Sequence, residues 1–346
     1  MSANDLQVRK QAGAEVGGTV PHGAPRVSLG MPVYNGEAFL SAALDALLAQ
    51  TFADFELVIS DNASTDATQA ICEDYAARDR RIRYHRLERN LGAVPNFNRV
   101  FELSTAPLFK WSAHDDLCEP TYLEKAVALM DARPDVVWCH SLSSHIDARG
   151  HLLEDADALD VSYADRAQEG AAARFGAVLL SGDGCLDTYG VIRSEALKRT
   201  PLYMSAYGAE KVVIAELALM GPYAEIPETL FLARVSASGS GYLEGAAAQQ
   251  AFIDTSRPPD AAATVRLRLL RAYLDAIARS APNAREAWRA RAMVARWVLQ
   301  VGKWGRVAVQ AATGAGLGGR NRKRVERADA RAAAAKGGGT GRSAAS

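Results

Sequence analysis

The chain has 346 residues, 49% of them apolar, with 40 Lys and Arg against 40 Asp and Glu. That length allows two domains or one large domain with additions, and that apolar share excludes a wholly disordered chain. The zero net charge is a cancellation: residues 1–260 hold 22 basic and 36 acidic side chains, and residues 261–346 hold 18 and 4. An acidic body therefore precedes a strongly basic tail, and the two parts are expected to face different partners. Cys72, Cys118, Cys139 and Cys185 form no C-x-x-C pair. This argues against a zinc ribbon or a disulfide scaffold and fits a reducing cytosol. No uncharged apolar run reaches the ~18 residues of a membrane span, and residues 1–24 lack a signal-type apolar core.

Residues 1–24 read as a disordered arm. Val27-Ser28-Leu29 predicts a short buried strand, ending in the turn-rich Met31-Pro32-Val33-Tyr34-Asn35-Gly36. Helical spacing of Phe39, Leu40, Ala43, Leu44, Leu47 and Leu48 follows. Phe55–Ser60 predicts a second strand, and the polar loop from Asp61 to Asp66 leads into a second helix capped by Ser64 or Thr65. Further strands are predicted at 82–87, 108–111 and 136–139, with helices at 95–103 and 121–130. Residues 151–185 read as an irregular insertion. Beyond them lie a strand at 189–192, a helix at 212–220, one or two strands around Pro227, and helices at 266–278 and 285–310. Residues 311–346, dominated by Gly, Ala and Arg, read as disordered.

Strands alternating with helices imply a mostly parallel sheet covered on both faces, with ligands at the carboxyl ends of the strands. That rule selects the loops at Met31–Gly36, at Asp61 and at His114–Asp116. Asp115 and Asp116 follow an apolar strand; such a pair suits a hard divalent cation shared with phosphates, or an acidic turn in which Asp116 caps the next helix. Asp61 can accept from a nucleoside or close an Asx-turn. Glu210 precedes a helix, as a catalytic base or as an acid favouring the helix dipole. There is no G-x-G-x-x-G after the first strand and no P-loop, which disfavours dinucleotide and P-loop chemistry.

Taken together, these segments resemble family 2 glycosyltransferases of the GT-A fold. The resemblance rests on Val27–Gly36, Phe55–Asp66, Asn90-Leu91-Gly92, Trp111–Pro120 and Gly208–Gly221 followed by Glu225-Ile226-Pro227-Glu228, and it covers about residues 26–240. It implies a GT-A (Rossmann-like) α/β domain at 25–240, with a mostly parallel sheet flanked by helices. A C-terminal helical extension at 241–310 and a disordered basic tail at 311–346 would follow. It also implies that Pro32, Val33 and Tyr34 line a base pocket, that Asp61 binds base or ribose, and that Asn90 faces nucleotide or phosphate. Asp115 and Asp116 would hold Mg²⁺ or Mn²⁺ against the donor diphosphate, Arg234 would meet that diphosphate, and Glu210 would stand at the position of the catalytic Asp. Two positions depart from the pattern. Ala113-His114-Asp115-Asp116 lacks the first carboxylate of a D-x-D-D, with His114 as a metal neighbour or a packing residue, and Arg234-Val235-Ser236 lacks a late His.

The implied activity is inverting transfer of a sugar from a nucleotide-sugar donor, UDP- or another NDP-sugar, to a glycan or lipid-linked glycan hydroxyl. The alternative is a nucleotide-sugar-binding or scaffold protein impaired in catalysis. In the 285–310 helix, Arg285, Arg289, Arg296 and Lys303 share one stripe, opposite Val294, Trp297, Val298, Val301, Trp304 and Val309. The apolar side either meets the inner face of an anionic membrane or packs on the catalytic domain. The Arg320–Arg331 cluster has no interleaved aromatics, and no nucleic-acid partner is expected.

Overall fold

The computed structural model describes residues 15–16, 24–153, 161–181, 185–235, 245–258 and 262–300. The expected arm therefore lies outside the described residues except for Glu15–Val16 and residue 24, and the expected tail at 311–346 lies wholly outside them. Strands β1 (Glu15–Val16), β2 (Val27–Val33), β3 (Phe55–Asp61), β4 (Ile82–Arg86), β5 (Leu108–Trp111), β6 (Leu117–Cys118), β7 (Trp138–Ile146), β8 (Val191–Arg193) and β9 (Tyr223–Arg234) form one sheet in the order β1-β4-β3-β2-β5-β8-β7-β9-β6. The β4-β3-β2-β5 core is parallel, and β7 and β9 are parallel to each other. Pairings through β1, β8 and β6 are short and antiparallel, so the sheet is mostly parallel with antiparallel additions. β2 and β3 are buried at every residue, as expected of strands covered on both faces.

Two apolar clusters cover the sheet. One gathers Leu40 and Leu44 of α1 (Leu40–Leu48), Cys72 of α2 (Thr68–Arg78) and Tyr122 and Met130 of α4 (Tyr122–Ala132). The other gathers Val100 of α3 (Ala93–Glu102), Phe175 of α5 (Ala171–Leu180) and Ile214 of α7 (Ala209–Met220). Tyr273 of α9 (Ala262–Ser280) and Trp297 of α10 (Ala284–Val298) join this second cluster. The C-terminal helices thus share a core with the sheet domain. Gly30 is where α3 comes closest: a Cβ there would meet the Phe109 ring at 2.7 Å and Val100 at 2.8 Å.

Two elements differ from the sequence reading, and a third settles an alternative it left open. β2 runs on through Met31-Pro32-Val33, expected as loop. Its pairing with β5 ends at Gly30↔Trp111, so Pro32 is flanked on one side only, by Ser60, and no ladder bond needs its missing N–H. The 151–185 insertion contains α5, whose apolar residues are consumed by packing on α7 and α10. β9 is a single strand; register shifts at Ser141/Leu142/Ser143 absorb Pro227 and Glu228 as a bulge. The four cysteines are buried and unbridged.

Candidate active site

The carboxyl ends of β2 and β3 are stapled together. Ser64 Oγ accepts from the Asn35 amide at 2.9 Å, Thr68 Oγ1 from the Gly36 amide at 2.8 Å, and Asn35 Oδ1 from the Thr65 amide at 2.8 Å. Asn35 sits at φ 50°, a left-handed conformation asparagine tolerates better than most residues. Tyr34 is left projecting from this staple, 42% exposed. Pro32 and Val33 are buried in the strand.

Asp61 is fully buried at the end of β3. Its Oδ1 accepts from the Ser64 amide at 2.8 Å and its Oδ2 from the Tyr84 hydroxyl at 2.7 Å, with Arg86 Nε 3.4 Å away. The Asx-type turn foreseen at this residue is therefore present. Burial, then the bond to Asp61, pushes the Tyr84 phenol far above its usual range. Asn90 is likewise engaged: its Oδ1 accepts from Asn62 Nδ2 at 2.9 Å and from the Gly92 amide at 2.8 Å. Gly92, at φ 92°, lets the backbone of Asp254 approach, because a Cβ would meet it at 2.6 Å.

The His114–Asp116 loop faces this staple. A Cβ on Gly36 would lie 2.8 Å from the His114 ring, so His114 packs on the Tyr34–Gly36 turn. Arg234, the last residue of β9, ties the acidic pair in place. Its amide donates to Asp116 Oδ1 at 2.8 Å, its Nε to the Asp115 carbonyl at 2.7 Å and its Nη1 to the Asp147 carbonyl at 2.8 Å. The guanidinium also lies over the Phe39 ring, 4.8 Å from the centroid. Burial and then the neighbouring Asp115 charge push Asp116 up to about 8. Beneath the loop, the fully buried Lys110 amine donates to the Trp111 carbonyl at 3.0 Å and lies 5.3 Å from both the Tyr122 and Phe231 rings. Burial pushes that amine down.

Glu210 stands in the first turn of α7, entered through Gly208 in the left-handed region at φ 85°. Burial raises its carboxyl above the usual range. Among the described residues no side chain donates a hydrogen bond to it. The preceding segment is fixed by a reciprocal pair, Asn98 Nδ2 to the Tyr203 carbonyl at 2.9 Å and the Tyr203 amide to Asn98 Oδ1 at 3.0 Å.

Tyr189 links the two halves and was not marked in the sequence. It ends the 3₁₀ turn Leu186–Tyr189. Its ring stacks on Phe231 at 5.7 Å and 21°, and Phe231 pairs with Cys118 just past the acidic pair. On the other side of the turn, Thr188 Oγ1 and the Tyr203 hydroxyl are 2.5 Å apart. Burial, then Asp116, Asp115 and Glu210 in that order, push the Tyr189 phenol well above its usual range. One half-buried hydroxyl therefore feels all three carboxylates singled out above. The sequence reading placed it at the start of a strand at 189–192, whereas the strand begins at Val191 and Tyr189 belongs to the turn before it.

Helix α10 resolves one alternative. Val294 and Trp297 are buried against the domain, so that part of the apolar face packs rather than meets lipid. Residues 301–310 lie outside the described residues.

Residues 28–151 match the sequence model of glycosyl transferase family 2. EpsH and EpsE, two Bacillus subtilis (strain 168) proteins named as glycosyltransferases, are similar to the chain. EpsH is 31% identical over 146 residues, covering 42% of this chain and 41% of EpsH. EpsE is 33% identical over 108 residues, covering 31% and 39%. The chain thus spans about two fifths of the length of these relatives. Among solved structures, S. aureus TarS 1–349 in complex with UDP superposes with TM-score 0.58 at 16% identity, covering 83% of this chain and 75% of that one. The same protein with UDP-GlcNAc gives 0.57 at 16% identity, covering 79% and 71%. Residues 28–151 are thus similar to glycosyl transferase family 2, and the α/β architecture built around them has the GT-A fold.

Proposed function

We propose that the protein is an inverting glycosyltransferase, moving a sugar from a nucleoside-diphosphate sugar to a hydroxyl of a glycan or lipid-linked glycan. The observation that carries this reading is the Asp115–Asp116 pair held by Arg234 at the carboxyl edge of the sheet, together with the buried, raised carboxyl of Glu210 at the start of α7. It gives one end suited to a diphosphate and another suited to deprotonating an alcohol. TarS, by its titles, binds UDP and UDP-GlcNAc, which makes a uridine nucleotide the first donor to test.

The divalent cation implied by the family fits the donor set. The Asp115 carboxylate receives no hydrogen bond among the described residues, and the Arg234 amide is the hydrogen bond the Asp116 carboxylate accepts among them. Two adjacent carboxylates completed by diphosphate oxygens and water are what Mg²⁺ or Mn²⁺ takes. Among the described residues no cluster of three acidic, His or Cys side chains exists, so the remaining ligands come from donor and solvent. Asp115 and Asp116 would hold the cation, which would supply charge stabilisation for a departing diphosphate. Tyr34 covers the base, while Asp61, which keeps an acceptor position on Oδ1, and Asn90 fix the nucleoside side. The Arg234 guanidinium steadies the acidic loop. Glu210 takes the proton from the acceptor hydroxyl as it attacks the anomeric carbon, in a single displacement. The raised carboxyl of Glu210 matches that task, since a base of higher pKa has more driving force for taking an alcohol proton.

No helix among the described residues is long and apolar enough to cross a membrane. A cytoplasmic site of action with peripheral contact at the inner face, through residues 285–310, completes the proposal. The second reading, a binding protein impaired in catalysis, is favoured by the missing first acid at Ala113 and the missing His after Arg234.

Thermal shift with a panel of UDP-, GDP- and dTDP-sugars plus Mn²⁺, followed by assay of released nucleoside diphosphate, tests both. A rise of a few degrees with one donor, lost in Asp115→Asn with Asp116→Asn, is the expected result. No shift with any donor sinks the proposal, and binding without turnover moves it to the second reading.

A further inference from the structure

The face of α10 turned away from the domain carries its own apolar stripe. At about 100° per residue, Trp288, Ala292, Ala295 and Leu299 fall within a strip roughly 60° wide. That strip lies opposite the buried Ala290, Val294 and Trp297. Trp288 is 72% exposed and Leu299 73%. Exposed arginines border the strip on both sides, Arg285, Arg289 and Arg296 along one flank and Arg291 along the other.

The helix is held rigidly in this orientation. Asn283 caps it, its side chain accepting from the Glu286 amide at 3.0 Å, and Glu286 accepts from the Ala172 amide at the start of α5 at 2.8 Å. The stripe is therefore a fixed surface and not a frayed end. Residues 262–300 hold eight arginines against two acids. Both acids are already engaged, Glu286 as described and with Arg289, Asp275 with Arg271. The sequence from 301 to 346 adds ten Lys and Arg against two acids.

We propose that α10 lies flat on an anionic lipid surface, with Trp288 and Leu299 entering the headgroup boundary and Arg285, Arg291 and Arg296 reaching the phosphates beside them. An indole with one apolar body and one N–H suits that boundary. Arginine stems cover apolar surface while their heads stay with the phosphates. The charge decides against a second copy of this chain as the occupant, since a two-fold contact would set arginine against arginine. This deepens the membrane part of the reading above and needs nothing from its sugar-transfer part.

The test uses the full chain, without donor, on sucrose-loaded phosphatidylcholine vesicles with and without phosphatidylglycerol. Co-sedimentation is expected with the anionic vesicles alone, weakening as salt rises. Trp288→Ala is expected to weaken partitioning roughly tenfold, and Arg285→Gln with Arg291→Gln roughly fivefold per charge. A blue shift of indole emission on anionic vesicles is expected in the parent and diminished in Trp288→Ala. Since the side chain is exposed, the variant's melting temperature should match the parent's. Equal pelleting of parent and both variants overturns the proposal. So does binding that ignores phosphatidylglycerol, binding to duplex DNA or RNA that Trp288→Ala weakens instead, or self-association that Trp288→Ala abolishes. The donor thermal shift reads the sugar-transfer proposal separately, so the two can fail independently.

Discussion

The backbone amide of Arg234 donates to Asp116 Oδ1 at 2.8 Å while its guanidinium Nε donates to the Asp115 carbonyl at 2.7 Å. One residue at the end of β9 thereby sets the geometry of both acids on a loop 118 residues earlier. Lysine would keep the charge but has no planar fork to reach the Asp115 and Asp147 carbonyls together. Arg234→Lys is expected to weaken Mn²⁺-dependent UDP binding by roughly 10–100-fold, the usual cost of disturbing a residue that orients ligands. Calorimetry with and without Mn²⁺ checks it; unchanged affinity would remove the positioning role.

Glu210 gives a pH dependence with a definite sign. Burial raises its carboxyl above the ordinary range, so it becomes a base only above that range, and kcat/KM should climb as pH rises through the raised value. Glu210→Gln should abolish transfer with UDP binding retained. The same shift works against folding: a carboxyl whose folded pKa is raised contributes stability below the unfolded value and loses it as pH rises through the folded one. Glu210→Gln should accordingly melt higher than the parent at pH 8 and about equally at pH 4. Near-parental turnover in the variant would refute the assignment.

Tyr189→Phe removes a hydroxyl and keeps the ring stacked on Phe231. A hydrogen bond of the ordinary kind to the transferring sugar predicts a loss of roughly 3–10-fold in kcat/KM for transfer. UDP affinity should be unchanged. An equal loss in UDP affinity would place the hydroxyl on the diphosphate instead.

The Tyr189 turn is anchored by Arg166 and Asp187, an ion pair with both side chains fully buried. Among the described residues, Arg166 Nε and Nη2 and Asp187 Oδ1 meet no hydrogen-bond partner. Arg166→Met alone is expected to destabilise by about 3–5 kcal/mol, since it strands a buried carboxylate. Adding Asp187→Leu should recover most of that, because well-packed apolar residues often equal a buried pair. Chemical denaturation of the three proteins checks it; a double variant no more stable than the single one contradicts it.

The sequence alone determined the alternation of strand and helix, and with it the sheet edge where Asp61 and Asp115 had to lie. Parallel strands covered on both faces are written as short apolar runs, and β3 and β5 are such runs. It also determined the charge split that led to α10. Only the tertiary structure decided that Val33 is core, that Arg234 reaches Asp115 and Asp116, and that Tyr189 stacks on Phe231. These are contacts between segments about 30 to 120 residues apart, fixed by chain crossings that leave no local period. The same holds for α10. Its repeat offers apolar residues on two sides, and packing against α5 and α9 chose Val294 and Trp297 for the core and left Trp288 outside.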